Sequence, residues 1–345
     1  MTTTSPPTTP LSARIDAPRS LEVPVTPGVN WRAPEQEDFD AIFACETAIG
    51  AADHPHYVTP REEFDSEFEH SYVDAATDCI AGFDSDGTCV AYGLTFAPPG
   101  RETLVRAILV GGVHPAHRGH GIGRQLLAWQ EGRGLQQLAA SDAVLPGWLL
   151  MGVEERAQAS VSLYLHSGFH IARYFLQLTR DLRAEYAEPA ELPGFTIVPF
   201  SIELSESVRA AKNNAFRDHW GSQSTNKEAW DSGIALPTFR GDLSRVALAE
   251  DGTVAGFALA STNEEDWAAA GYSSTYIDLV GVAREFRGRG LAPALLGGVI
   301  AASAAAELER AVLDVDSANP SGALGLYQAL GFVEESRSMN FVKEF

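Results

Sequence analysis

At 345 residues the chain is longer than one hydrophobic core usually supports, and it suits two domains. Its 46 acidic residues against 25 basic ones leave a formal charge of −21, which repels phosphate and argues against nucleic acid or anionic membrane as partners; 45% hydrophobic residues call for a packed core. Cys45, Cys79 and Cys89 stand at no metal spacing and read as reduced thiols of a cytoplasmic protein, with no metal expected.

The opening MTTTSPPTTPLSAR lacks the apolar run of a signal peptide, so residues 1–20 are predicted to be a disordered tail. From Gly28, GVNWRAPEQEDF predicts a short strand and an acid-bearing start of a helix. Asp53, His54 and His56 then supply metal-ligand residue types without a spacing that aims them together, and they read as loop polarity. DCIAGFDSDGTCVAYGLTF is a hairpin with its turn at Asp86-Gly87, and LVRAILVGGV is a strand that runs into the Gly-rich HRGHGIGRQLL at the head of a helix. A further strand (GWLLMGV), a helix carrying Tyr164, a Gly-Phe pair and a closing apolar strand complete the first half.

After a linker at 186–193 the order repeats. GFTIVPFSIELS follows from Gly194, Asp218-His219 leads to Trp230, and a second hairpin turns at Asp251-Gly252. STYIDLVGV runs into FRGRGLAPALL, and RAVLDV, a helix with Tyr327 and Gly331-Phe332 follow. The apolar run from Leu291 carries Pro293 and two glycines, so it reads as a packed helix rather than a membrane span. The expected organisation is a duplicated α+β unit, the first copy at 21–185 and the second at 194–345.

A strand that ends in a Gly-rich turn before a helix aims several backbone N–H groups and a helix N-terminus at one spot, which suits a pyrophosphate. The residues so placed are Val280, Val282, Arg287, Gly288, Arg289, Gly290, Leu291 and Ala292 in the second copy, and Val113, Arg118, Gly119, His120, Gly121, Ile122 and Gly123 in the first. Neither turn has the Gly-Lys-Ser/Thr of a P-loop. What makes the pattern specific is its setting: hairpins, Arg-x-x-Gly-x-Ala, then Asn319, Tyr327 and Gly331-Phe332.

On these residues the chain resembles the Gcn5-related N-acetyltransferases over nearly its whole length. The two-copy layout, with FRDHWG at Phe216, is similar to the mycothiol synthase-like two-domain members of that family. The resemblance implies two tandem domains, each a mixed, splayed sheet flanked by helices, with acetyl-CoA or another acyl-CoA in the splay as cosubstrate. It implies direct attack on the thioester by a primary amine of a small molecule, by a monomer or a homodimer. In the second copy Asp278 is then the expected base, a backbone N–H near Val282 meets the oxyanion, Tyr327 protonates the departing thiolate, and Asn319 holds the pantetheine arm or the helix start. Asp218, His219 and Trp230 fall where the family lines its acceptor pocket. In the first copy Leu109 stands at the place of Asp278 and Arg156 at that of Asn319. Catalysis is therefore expected in the second domain, with the first binding CoA structurally or walling the acceptor cleft; His114 is the alternative base there. The other reading is a CoA-binding sensor or assembly module without turnover.

Overall fold

The computed structural model describes residues 7–185, 192–319 and 322–345. It divides into two compact units, one of Met1–Ala172 with Met339–Phe345 and one of Arg173–Ser338. The first holds α1 (Leu11–Arg14), β1 (Asn30–Arg32), α2 (Phe39–Asp53), α3 (Arg61–Glu69), α4 (Ala75–Asp78), β2 (Cys79–Phe83), β3 (Cys89–Phe96), β4 (Val105–Val113), α5 (Ile122–Ala139), β5 (Gly147–Glu154) and α6 (Gln158–His166). The second is built from most of β6 (His170–Asp181), then β7 (Phe195–Pro199), α7 (Ser205–Ala215), α8 (Lys227–Ala235), β8 (Arg245–Ala249), β9 (Val254–Ser261), α9 (Glu264–Ala270), β10 (Ser274–Val282), α10 (Leu291–Ala305), β11 (Arg310–Asp316) and α11 (Ala323–Ala329). The last strand, β12 (Val333–Glu344), divides between the two.

In the first unit the strands run β1-β2-β3-β4-β5. The hairpin turn between β2 and β3 closes where the Asp84 carboxylate accepts the backbone N–H of Asp86 at 2.9 Å and of Thr88 at 3.0 Å, a side-chain substitute for strand pairing. Every residue of β3 is buried, because α2 packs on one face of the sheet and α5 on the other. β4 pairs antiparallel with β3 up to Val113, but its parallel pairing with β5 covers only Val105–Ile108 against Gly147–Leu150. Beyond Leu109 the two strands part.

The second unit repeats this plan with the order β7-β8-β9-β10-β11-β6. β10 pairs with β11 only at Ser274–Tyr276, and it carries a bulge between Ile277 and Leu279 where it faces β9. α10 lays Leu291, Leu295, Leu296, Val299 and Ile300 into the main core of this unit, as expected of the apolar run from Leu291.

Two expectations are corrected. The copies do not fold as contiguous pieces. Phe175–Asp181, written as the end of the first copy, pair antiparallel with β11 of the second unit. Conversely, the C-terminal residue Phe345 exchanges two backbone hydrogen bonds, of 2.9 and 3.0 Å, with Gly147 of β5, and Met339 and Phe341 lie in the core of the first unit beside Leu149, Met151 and Val153. The supposed tail is folded from Leu11 on: that side chain is fully buried in the same core, its N–H bonds Ala143 O at 3.1 Å, and Ser12 N bonds Ser141 O. Residues 1–6 of the tail and 186–191 of the linker lie outside the described residues.

Candidate active site

In each unit the Gly-rich turn starts its helix from a left-handed residue, Gly121 at φ +81° and Gly290 at φ +79°. A side chain there would strain the backbone, and the turn could not present its amides at the helix mouth. No side chain caps either helix, so the N–H groups of the first turn stay available to an anion. Pro293 removes one such donor in the second unit.

The arginines of the two turns are anchors. Arg118 donates from Nε to Val113 O at 3.0 Å and from both terminal nitrogens to the Asp53 carboxylate at 2.8 and 2.9 Å, a bidentate pair that ties the loop to the end of α2. Arg287 donates to Ala215 O at 2.8 Å and to Val282 O at 3.4 Å. The cradle is therefore backbone. His114 is committed as well, since its ring accepts the N–H of Ala116 at 3.2 Å and caps the short turn that follows.

In the first unit the parting of β4 and β5 opens a cavity of about 260 Å³. Val113, Arg118, Gly119, Gly121, Ile122 and Gly123 line it, while His120 does not; Leu109 and Gly111 come from β4, Met151 and Val153 from β5, and Tyr164 from α6. Burial, aided by the Asp53 carboxylate, raises the Tyr164 phenol to about 12, so it stays protonated at neutral pH. His54, the last cap residue of α2, is also in the wall, and its Nδ1 stands 3.3 Å from Glu154 Oε1 at the end of β5.

In the second unit Asp278 sits at the bulge of β10, exposed, and accepts the Ser261 hydroxyl at 3.0 Å. Tyr327 is 9% exposed, packs edge-on against Phe332, and burial alone raises its phenol to about 12. Its hydroxyl has no partner among the described residues. Val280 and Val282 lie on the part of β10 that β11 has left. Asn319 follows β11 with its N–H on Asp316 O at 3.0 Å. Pro320 and Ser321 of the same motif lie outside the described residues.

The three expected acceptor residues have different surroundings. Asp218 is exposed and ion-paired with Arg284, and the His219 ring lies against Phe216. Trp230 is a core residue, 5% exposed, with its indole N–H on Ser205 Oγ at 2.9 Å and its ring in a cluster with Val208, Phe257 and Leu259. Burial of this kind makes it a packing residue of the core, against the expectation of an acceptor contact.

The sequence profile of the acetyltransferase (GNAT) family matches twice, over residues 42–169 and 206–332. The chain belongs to the GNAT acetyltransferase family. Among curated relatives, a mycothiol acetyltransferase from Streptomyces griseus is 32% identical over 64% of this chain and 66% of its own length, so the alignment spans about two thirds of that protein. The fold is shared with a GCN5-related N-acetyltransferase from Sphaerobacter thermophilus, at 22% identity, TM-score 0.67, and coverage of 93% of this chain and 97% of the other. It is shared also with a tandem GNAT protein from the clavulanic acid biosynthesis pathway, at 17% identity, TM-score 0.63, and coverage of 92% and 98%.

Both units have the Gly-rich turn and the parted strands, and they differ in the side chains around them. Leu109 is buried where the second unit has Asp278. Counted from the paired strand starts Gly147 and Arg310, Glu154 has Ser317 as its counterpart in the second unit. Sequence reasoning passed over Glu154; the only signal was an acid in GVEER just past the last apolar residue of β5. Among the described residues no cluster of His, Cys, Asp or Glu is placed to hold a metal, and no helix is long and apolar enough to cross a membrane.

Proposed function

We propose that this GNAT acetyltransferase moves an acetyl group from acetyl-CoA to a primary amine of a small molecule, that the second unit performs the transfer, and that the cavity of the first unit also takes CoA. The observation that carries the reading for the second unit is the bulge of β10, which sets a carboxylate on the strand that leads into the Gly-rich turn. Asp278 takes the ammonium proton, directly or through water. The freed amine attacks the thioester carbon, a backbone N–H near Val282 meets the oxyanion, the C–S bond breaks as Tyr327 gives its proton to the leaving thiolate, and the second proton of the attacking nitrogen returns through solvent to the Tyr327 phenolate. A phenol raised to about 12 is held in the acid form that this last step needs. The pyrophosphate rests on the amides of Gly288–Ala292, and Asn319 holds the pantetheine arm.

The name of the curated relatives makes a mycothiol-type amine the first acceptor to try. The test is thiol release from acetyl-CoA with that amine and a panel of hexosamines, polyamines and aminoacyl amides. Asp278→Asn is expected to lower kcat roughly 100-fold or more. Tyr327→Phe is expected to lower it with little change in KM for acetyl-CoA. Full activity in both variants would refute catalysis by the second unit.

A further inference from the structure

We infer that the first unit carries a proton-abstracting pair of its own, His54 with Glu154, and is a second acyl-transfer centre for an amine. The two halves of this pair come from the end of α2 and the end of β5, and His54 is the one of the two that lines the cavity. His54 closes α2 immediately after Asp53, which Arg118 clamps through a bidentate pair, so the imidazole is hung from the same anchor that fixes the Gly-rich turn. Glu154 ends β5 immediately after Val153, a residue of the cavity wall. The two side chains meet at 3.3 Å, Nδ1 to Oε1, with 35% and 14% of their surface exposed.

That geometry leaves His54 Nε2 without a partner among the described residues, and His54 is a wall residue of the cavity that Tyr164 and the helix mouth at Gly121 also line. Glu154 Oε2 is buried and accepts no hydrogen bond; Arg156 Nε is its nearest cation, at 3.5 Å. A carboxylate held against one ring nitrogen selects the tautomer whose other nitrogen accepts a proton, and it stabilises the imidazolium that results.

Among its described residues the second unit has no such pair. Its His219 lies against Phe216, and Ser317 stands at the place of Glu154. The exchange is reciprocal, since the unit without the strand carboxylate at Leu109 is the one that has the histidine and its partner.

The step balances with these groups alone. The amine nitrogen bonds the thioester carbonyl carbon and loses its proton to His54 Nε2, the C–S bond breaks, and the thiolate takes the Tyr164 proton. The imidazolium then returns a proton to the Tyr164 phenolate through solvent. His54 is the catalytic residue, and Glu154 is a positioning residue.

The test uses the full chain with Asp278→Asn and Tyr327→Phe together, acetyl-CoA, and the same amine panel. Thiol release persisting in that double variant with at least one amine of the panel that the second unit does not turn over, and falling at least about 100-fold on adding His54→Gln, is the expected result. Glu154→Gln in the same background lowers kcat roughly tenfold with KM for acetyl-CoA unchanged, and Glu154→Asp restores part of it. Turnover abolished by the double variant alone overturns the inference and leaves the reading for the second unit standing. Thiol release that is indifferent to His54→Gln overturns it too. Independently of any acceptor, CoA is expected to protect His54 from carbethoxylation by diethyl pyrocarbonate, read by peptide mass spectrometry; modification unaffected by saturating CoA overturns the placement of this histidine in the site.

Discussion

Replacing Gly111 by alanine tests the splay at its most constrained point. Gly111 lies on β4 in the wall of the cavity at φ +103°, a conformation that alanine adopts only under strain of about 1 kcal/mol or more. A Cβ there would run into Tyr92 O and stand 3.0 Å from Gly93 Cα, both backbone atoms of the neighbouring strand. No rotamer change relieves such a contact, so β3 and β4 must separate locally, weakening backbone hydrogen bonds worth about 1 kcal/mol each. The sum is roughly 3–4 kcal/mol, at the severe end of single substitutions. Gly119→Ala is the control: φ is +84° there, but nothing lies within 4 Å of the added carbon, so only the strain remains. For a unit of this size about 1 kcal/mol moves the melting temperature by ~2–4 °C, so Gly111→Ala is expected to fall by ~10 °C and Gly119→Ala by a few degrees. Calorimetry with urea titration as a check measures both. A Gly111→Ala variant no less stable than Gly119→Ala would refute the reasoning.

Two further outcomes follow from burial. Trp230→Phe loses the hydrogen bond to Ser205 and leaves a gap beside Phe257, so it is expected to cost about 1–3 kcal/mol in urea titration while KM for the amine stays put; a raised KM at unchanged stability is the contrary result. Glu67 of α3 has its carboxyl raised to about 7 by burial and by the nearby Glu63. The unfolded chain ionises this group first, so stability is intact below about pH 4.5 and declines up to pH 7. Glu67→Gln is expected to stabilise the chain by roughly 1–2 kcal/mol at pH 7.5 and not at pH 4, in paired denaturation curves; equal gains at both values would contradict the cause given.

The duplicated turns could be read in the sequence because their chemistry is local. Glycines that must adopt positive φ, placed between a strand and a helix, leave a visible spacing. What decides the closing strands is not local. HIARYFLQLTRD and VEESRSMNFVKE are both plausible last strands for their own copy, and only the partners they find reveal that they are exchanged. His54 and Glu154 are a hundred positions apart in the sequence, and they meet because the end of α2 comes against the end of β5. Trp230 misled because an aromatic after a polar run reads equally as a pocket lining or as a core residue.

The traded strands also set a timetable for synthesis. The first unit cannot complete its sheet until Met339–Phe345 have been made, although its own Ala172 appeared a whole unit earlier. At ordinary translation rates of about 5–20 residues per second, that is roughly ten to thirty seconds during which the outer edge of β5 awaits its neighbour. Through that interval the nascent first half is a sheet with an open edge, the kind of surface that invites pairing with the wrong chain.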